Sequence, residues 1–388
     1  MLNKGNIATN EERFALHETE CIARINKQEG RVCKAICCAC QNGLGRFAMK
    51  RFVLAAVLLA VCAAVFAYNP PYGGEEPFRL TNPEMMMGAA SASGGPAFTV
   101  LPSSITYNPA IPAGQQHVTL DLSGTLLFNV DKAYSTDAKN GLGFQAGMIV
   151  PTEKVVLSFT MNYLNADFYG MNLDSTFIMH GGASKELNEK FSVGANAYIG
   201  FGSCFSIGTD AGVLFKLDDM ERLKNPRLGL SLLNLGISSS DSTVVGIDGS
   251  GADYYPSPLT SRASFGATFF EKDSWTGAFS VDASIPFFQN FITDAAVAFC
   301  YNNSVTLSAA MQFNIREIAE GGADGLSWFS IGITFKNFER IKQKIAGTNP
   351  ILQQSDYTGS FATQCLYSGI LAVSGGFRID SQDIKAKE

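Results

Sequence analysis

The chain has 388 residues, of which only 16% are charged, with 29 phenylalanines, 38 glycines and three histidines. Soluble domains carry about a quarter charged residues, so this composition argues against an ordinary soluble enzyme and for strands that face hydrocarbon on one side. Beyond the N-terminal region no run reaches the ~18 apolar residues of a helical membrane span, which excludes a helical bundle in the bilayer.

Residues 1–48 show no periodic element. Cys21, Cys33, Cys37, Cys38 and Cys40 fall there, but zinc sites use separated ligand pairs. Here four cysteines crowd together with no histidine close by, so metal binding is not expected. The stretch reads as an extension from a start assigned too early. Met49, Lys50 and Arg51 then precede the apolar run Phe52 to Phe66, which ends in Val65-Phe66-Ala67. A basic start, an apolar stretch and a small-residue ending make residues 49–67 a signal peptide, with cleavage expected after Ala67. The competing reading is a lipoprotein lipidated at Cys62, for which Val61 is a poor neighbour.

Without residues 1–67 the chain keeps 20 basic and 30 acidic residues, a net charge of −10. That balance offers no footprint for nucleic acid. Cys204, Cys300 and Cys365 are too few and too far apart for a disulfide framework, and no cofactor or metal is implied.

Residues 68–115 are rich in Pro, Gly, Ala, Ser and Met and lack alternation. From His117 the period is two. Leu120, Leu122, Leu126, Phe128 and Val130 share one face, with Thr119, Asp121, Ser123, Thr125 and Asn129 on the other. The same pattern recurs around Phe159, Ile199 and Leu307. Successive strand side chains point to opposite faces, so each segment has one oily and one polar side. Strands are predicted at 117–130, 141–150, 154–164, 175–184, 190–201, 205–216, 227–237, 261–270, 274–284, 292–301, 304–315, 326–336 and 365–379. Membrane barrels of this kind have even counts, so about fourteen strands are expected, the missing one near 345–363. Asn302-Asn303 and Leu187-Asn188-Glu189 suit tight hairpins, while 131–140, 165–174, 238–258 and 316–325 read as longer polar loops. Aromatics near strand ends (Phe128, Tyr163, Tyr198, Phe201, Phe215, Phe269, Tyr301 and Trp328) are expected in the interfacial girdles. A soluble sandwich or solenoid also alternates, but it needs neither export nor so many long strands. The fold class is therefore all-β: a transmembrane antiparallel barrel over 116–388, with residues 68–115 as a small hatch plugging the lumen.

Immediately before the first strand the chain reads Ser103-Ser104-Ile105-Thr106-Tyr107-Asn108-Pro109-Ala110. Proline holds Asn108 towards extended geometry, and the asparagine amide can bond local backbone. Irregular backbone at membrane depth survives only inside protein or a water-filled lumen. This stretch resembles the hatch of the FadL-type long-chain fatty-acid transporters, treponemal FadL-like paralogues in particular. The sharpest identity is Asn108-Pro109-Ala110, with a weaker echo at Asn234-Leu235-Gly236.

The resemblance implies a bacterial outer-membrane protein, a monomer, that captures a long-chain fatty acid or other hydrophobic ligand. Such a ligand moves to a site beside the hatch and leaves sideways, through a kinked strand, into outer-membrane lipid. Hatch-side contacts would be Phe98, Val100, Leu101, Ile105 and Tyr107. Gly200, Gly202 and Pro286 are the kink candidates, because glycine weakens a strand and proline removes a ladder donor. Readings of other classes are a small-solute porin and a surface-interaction or secretion-accessory protein using the 238–258 loop. An enzyme is not expected, since neither His117 nor His180 sits near a serine elbow.

Overall fold

A computed structural model describes residues 76–130, 140–168, 171–202, 204–240, 259–319, 329–336, 355–366 and 369–381. The expected signal peptide and its lipoprotein alternative, Trp328 and most of the 238–258 loop lie outside them.

Among the described residues there are fourteen strands: β1 (Val118–Asn129), β2 (Asn140–Pro151), β3 (Val156–Phe168), β4 (Met171–Asn188), β5 (Phe191–Phe201), β6 (Cys204–Lys216), β7 (Lys224–Ser240), β8 (Thr260–Lys272), β9 (Trp275–Pro286), β10 (Ile292–Tyr301), β11 (Val305–Asn314), β12 (Phe329–Lys336), β13 (Asp356–Leu366) and β14 (Ile370–Ser381). Each pairs with its sequence neighbours, and β1 closes on β14 from Val118↔Ser381 to Asn129↔Ile370. The result is a closed antiparallel barrel with no free edge, as the expected fold class requires. Among the described residues no helix is long and apolar enough to cross a membrane.

Alternation puts the oily residues outside. Leu120, Leu122 and Leu126 are each about half exposed, while Thr119, Asp121, Ser123 and Thr125 between them are buried. The terminal end of the barrel, where Val118 meets Ser381, carries an aromatic pair at the outer surface, with the Trp275 and Tyr301 rings 4.9 Å apart. Exposed aromatic rings of this kind suit a membrane interface. At the same end Asn302 and Asn303, with φ of 48° and 51°, turn β10 into β11. Two successive left-handed residues match the twist of a hairpin, and asparagine tolerates that region.

Several boundaries depart from expectation. The missing strand is β13, and the predicted 365–379 element is cut by a turn at Gly369 (φ 71°) into the end of β13 and most of β14. The predicted 165–174 loop is largely strand: β3 and β4 run on to Phe168 and from Met171, past a bulge at Asn165/Ala166. Tyr198 is not in a girdle. It points inward and is buried.

Residues 77–114 fold into short helical turns (Pro77–Thr81, Met85–Ala89, Pro102–Thr106 and Ile111–Gly114) packed inside the barrel. Prolines at the first helical positions start three of the four turns, where a missing N–H costs nothing.

Candidate functional site

The hatch has little regular structure, so most of its carbonyls have no helical partner. The barrel wall supplies donors for them. Thr125 donates to the Leu80 carbonyl (2.6 Å), Ser123 to Thr81 (2.7 Å), Ser330 to Met86 (2.5 Å), Asn196 to Ile105 (2.6 Å) and Ser231 to Tyr107 (2.6 Å). The polar face that alternation creates is therefore largely a socket for the hatch backbone, which satisfies buried groups that would otherwise be orphaned.

Asn108 is fastened by three hydrogen bonds. It is wholly buried. Its amide nitrogen donates to the carbonyls of Ala92, in the hatch, and Val213, in β6, at 2.7 and 2.9 Å. Its Oδ1 accepts from the Ala110 N–H at 2.9 Å. Pro109 and the asparagine amide lie so close to the wall that a Cβ at Gly194 would overlap the Pro109 carbonyl, and one at Gly212 would overlap Asn108 Oδ1. The Asn-Pro-Ala element thus seats its backbone against β5 and β6.

Charge holds the other parts of the hatch. Glu76 receives Arg262 at 2.8 Å, and the same guanidinium holds Asp282 at 2.5 Å. Arg79 reaches Asp294 at 2.9 Å, and Glu84 meets Arg378 at 3.0 Å. Burial pushes the Glu76 carboxyl above its usual range, against the pull of Arg262. Burial also raises the Tyr107 phenol, over whose ring Arg262 lies at 4.8 Å. These clamps were not foreseen. Their signal was available, because Arg262, Asp282, Asp294 and Arg378 interrupt the polar face of alternating strands.

The hatch separates two cavities. One, of about 90 Å³, opens towards the end opposite the termini and is lined by Phe78, Met85, Tyr107, Ile178, His180, Tyr198, Leu233 and Pro286, with Glu76 and Arg262 among its polar groups. The other, of about 440 Å³, lies at the terminal end and is more polar, with Glu84, Lys336, Arg378 and Asp380 in its walls. The expected ligand contacts do not form one site. Tyr107 lines the first cavity; Phe98 and Val100 line the second. Leu101 and Ile105 are buried as packing residues. Phe98 adopts φ 49° and carries the Arg227 guanidinium 4.3 Å above its ring.

The three kink candidates lie at or beside strand ends. Gly200 sits paired within β5, Gly202 (φ 123°) lies just past its end, and Pro286 closes β9 opposite Thr260. The wall is disturbed at Asn234, which has φ 59° and interrupts the β6–β7 register between Thr209 and Ala211. The Asn234 N–H donates to Asp210 at 2.6 Å. Paired residues of β7 and β8 end at Leu233↔Thr260, beside the first cavity, and Ile237 beyond them is 70% exposed. The resemblance at Asn234-Leu235-Gly236 had marked this place without assigning it a kink.

Fold and site together define a hatch-plugged, fourteen-stranded transmembrane barrel. No protein-family model matches the chain, and no curated protein matches it in sequence. Among solved structures it is similar to a mutant of the TodX monoaromatic hydrocarbon channel, at 11% identity and TM-score 0.45, covering 79% of this chain and 99% of that one. It is also similar to the Ralstonia pickettii toluene transporter TbuX, at 9% identity and TM-score 0.42, covering 76% and 98%. A Pseudomonas aeruginosa FadL homologue matches at 13% identity and TM-score 0.43, covering 81% and 98%.

Proposed function

We propose that the protein is an outer-membrane transporter of the FadL type, exported by its 49–67 signal, that takes up hydrophobic molecules through a hatch-plugged barrel. The terminal end would face the periplasm. The observation that carries the reading is the division of the lumen: a largely apolar pocket on one side of the hatch, a polar vestibule on the other, and a wall disturbed at Asn234 beside the pocket. A hydrophobic solute gains about 0.8 kcal/mol per buried CH₂, so an apolar pocket collects it from water. Leaving sideways near Asn234 would spare it a return to water.

Long-chain fatty acids are the ligands that the sequence resemblance implies, and they are the first probes to use. The refolded protein would be titrated with a long-chain fatty acid and with an uncharged hydrophobe, following intrinsic fluorescence. Saturable binding of either, weakened by Asn108→Ala, supports the reading; no binding by a folded barrel overturns it. A small-solute porin would conduct ions steadily in a planar bilayer, whereas a lumen filled by the hatch should hold conductance low. We read the protein as a monomeric carrier and not an enzyme.

A further inference from the structure

The pocket opposite the termini contains polar groups that its own protein leaves unused. His180 projects inward from β4, and its Nδ1 is buried without a hydrogen-bond partner. The hydroxyl of Ser103, from the hatch, lines the same cavity and is likewise buried and unpartnered. Leaving such groups unsatisfied is costly, and a partner from outside would remove that cost. The ring of His180 lies 5.2 Å from that of Tyr198, and Phe78, Met85 and Ile178 add apolar wall between polar groups such as Gln145, Asn162 and Thr106.

The charged lining points to what kind of partner fits. Glu76 and Arg262 already pair with each other at 2.8 Å, and Arg262 also holds Asp282 and approaches Asp294 at 3.5 Å. With Arg79 on Asp294, two guanidinium groups face three carboxylates. Among the described residues that line the cavity, an incoming carboxylate would find no cation without an acidic partner already beside it. A hydroxyl carries no charge and both donates and accepts. Size adds a second limit. A cavity of about 150 Å³ is what encloses a benzene molecule, so the ~90 Å³ here houses the head of a ligand, with its tail left towards the opening.

We propose, building on the transporter reading above, that this pocket is a head-group site for an uncharged amphiphile bearing one hydroxyl or N–H group. That group donates to Nδ1 of His180, while the apolar body lies along Phe78, Ile178 and Tyr198. Alcohols and alkylphenols fit this description; fatty-acid anions do not.

The test is calorimetric titration of the purified full-chain protein at pH 7.5 with 4-butylphenol, butylbenzene and 4-butylbenzoate. These share one body and differ in the head. The expected order puts 4-butylphenol about tenfold tighter than either of the others, the worth of one good hydrogen bond. His180→Phe should remove that advantage and leave butylbenzene within about twofold, and Ser103→Ala should reduce the advantage in part. Equal affinity for butylphenol and butylbenzene, or tightest binding of the benzoate, overturns the head-group site while leaving the transporter reading standing. If none of the three binds to a barrel shown to be folded, the head-group site fails, and the long-chain fatty-acid titration above decides the transporter reading. Should His180→Phe not fold, the wild-type order and the Ser103→Ala variant still decide the matter.

Discussion

Replacing Asn108 with alanine tests how the hatch is fastened. The substitution removes the bonds from its amide to the Ala92 and Val213 carbonyls, at 2.7 and 2.9 Å, and the bond from the Ala110 N–H to Oδ1, at 2.9 Å. Each such neutral bond contributes about 1 kcal/mol net, and more when the abandoned group stays dry. Only the Val213 bond crosses the seam; the other two hold the fold of the hatch itself, so the docked and folded hatch should lose about 3 kcal/mol against a displaced and unfolded one, roughly a hundredfold in population. Fourteen paired strands do not depend on this side chain, so the barrel should persist. Hydrogen exchange followed by mass spectrometry resolves the two. Peptides covering 85–114 should exchange far faster in the variant, while those from β9 to β11 keep their protection. Unchanged exchange over 85–114 would refute the assignment, as would loss of hatch and wall protection together.

Further outcomes follow from the same contacts. Gly212→Ala should loosen the hatch by the same exchange measure, because its Cβ would overlap Asn108 Oδ1. The Asn108→Ala/Gly212→Ala double variant should be much less than additive, since the first change makes room for the second. Arg378→Met leaves Glu84 buried without its partner (side-chain exposure 7% for both), which should cost about 3–5 kcal/mol in hatch docking, and adding Glu84→Gln should recover much of it. On the outer face, Leu122→Arg should lower barrel stability in vesicles by about 2–4 kcal/mol, since this half-exposed leucine lies mid-strand. By contrast Asp218→Asn breaks a pair with Lys190 that is 62% and 81% exposed, and unfolding titrations should show a change below about 1 kcal/mol.

Much of the barrel was legible because its physics is local. A strand with lipid on one side and polar partners on the other must alternate, and β1, β3, β5 and β11 do so with large residues outside. β13 was anticipated only as a strand near 345–363 and without sharp bounds, because Thr358, Ser360 and Gln364 face inward while Thr363 and Cys365 look outward beside Phe361, so its two faces differ little in polarity. The tight β3–β4 connection was read as a loop because its polar residues resemble one, although the strands pair right up to it. What could not be read was non-local. Asn108 announced itself through its proline, but its partners Val213 and Gly212 lie a hundred residues away. The ligand contacts expected from one run of sequence were divided between two cavities, since a plug presents opposite sides to opposite ends of its barrel. Deviations at Asn234 depend on how β6 and β8 each pair with β7, which no single segment records.

The kind of contact that holds the hatch bears on whether it can move. An ordinary protein core resists opening because apolar surface must be returned to water, at about 25 cal/mol per Å². Here much of the hold is polar. Hydroxyl and amide groups of the wall meet hatch carbonyls, and paired charges meet across the seam. Water entering the lumen can replace neutral hydrogen bonds at small net cost. The apolar contacts between hatch and wall are concentrated where Leu80, Met86 and Met87 pack on Leu127, Leu164, Leu366 and Ile370. A hatch fastened this way can shift in part while that cluster stays in place. The segment from Gly94 to Val100, which carries the left-handed Phe98, lines the terminal-end cavity together with Met87, so its movement changes that cavity. The pocket opposite is lined by both earlier and later hatch residues, Glu76 to Met85 and Ser103 to Tyr107. A molecule lodged there touches both attachments of the plug at once, which is the physical basis on which occupancy can alter how firmly the hatch is seated.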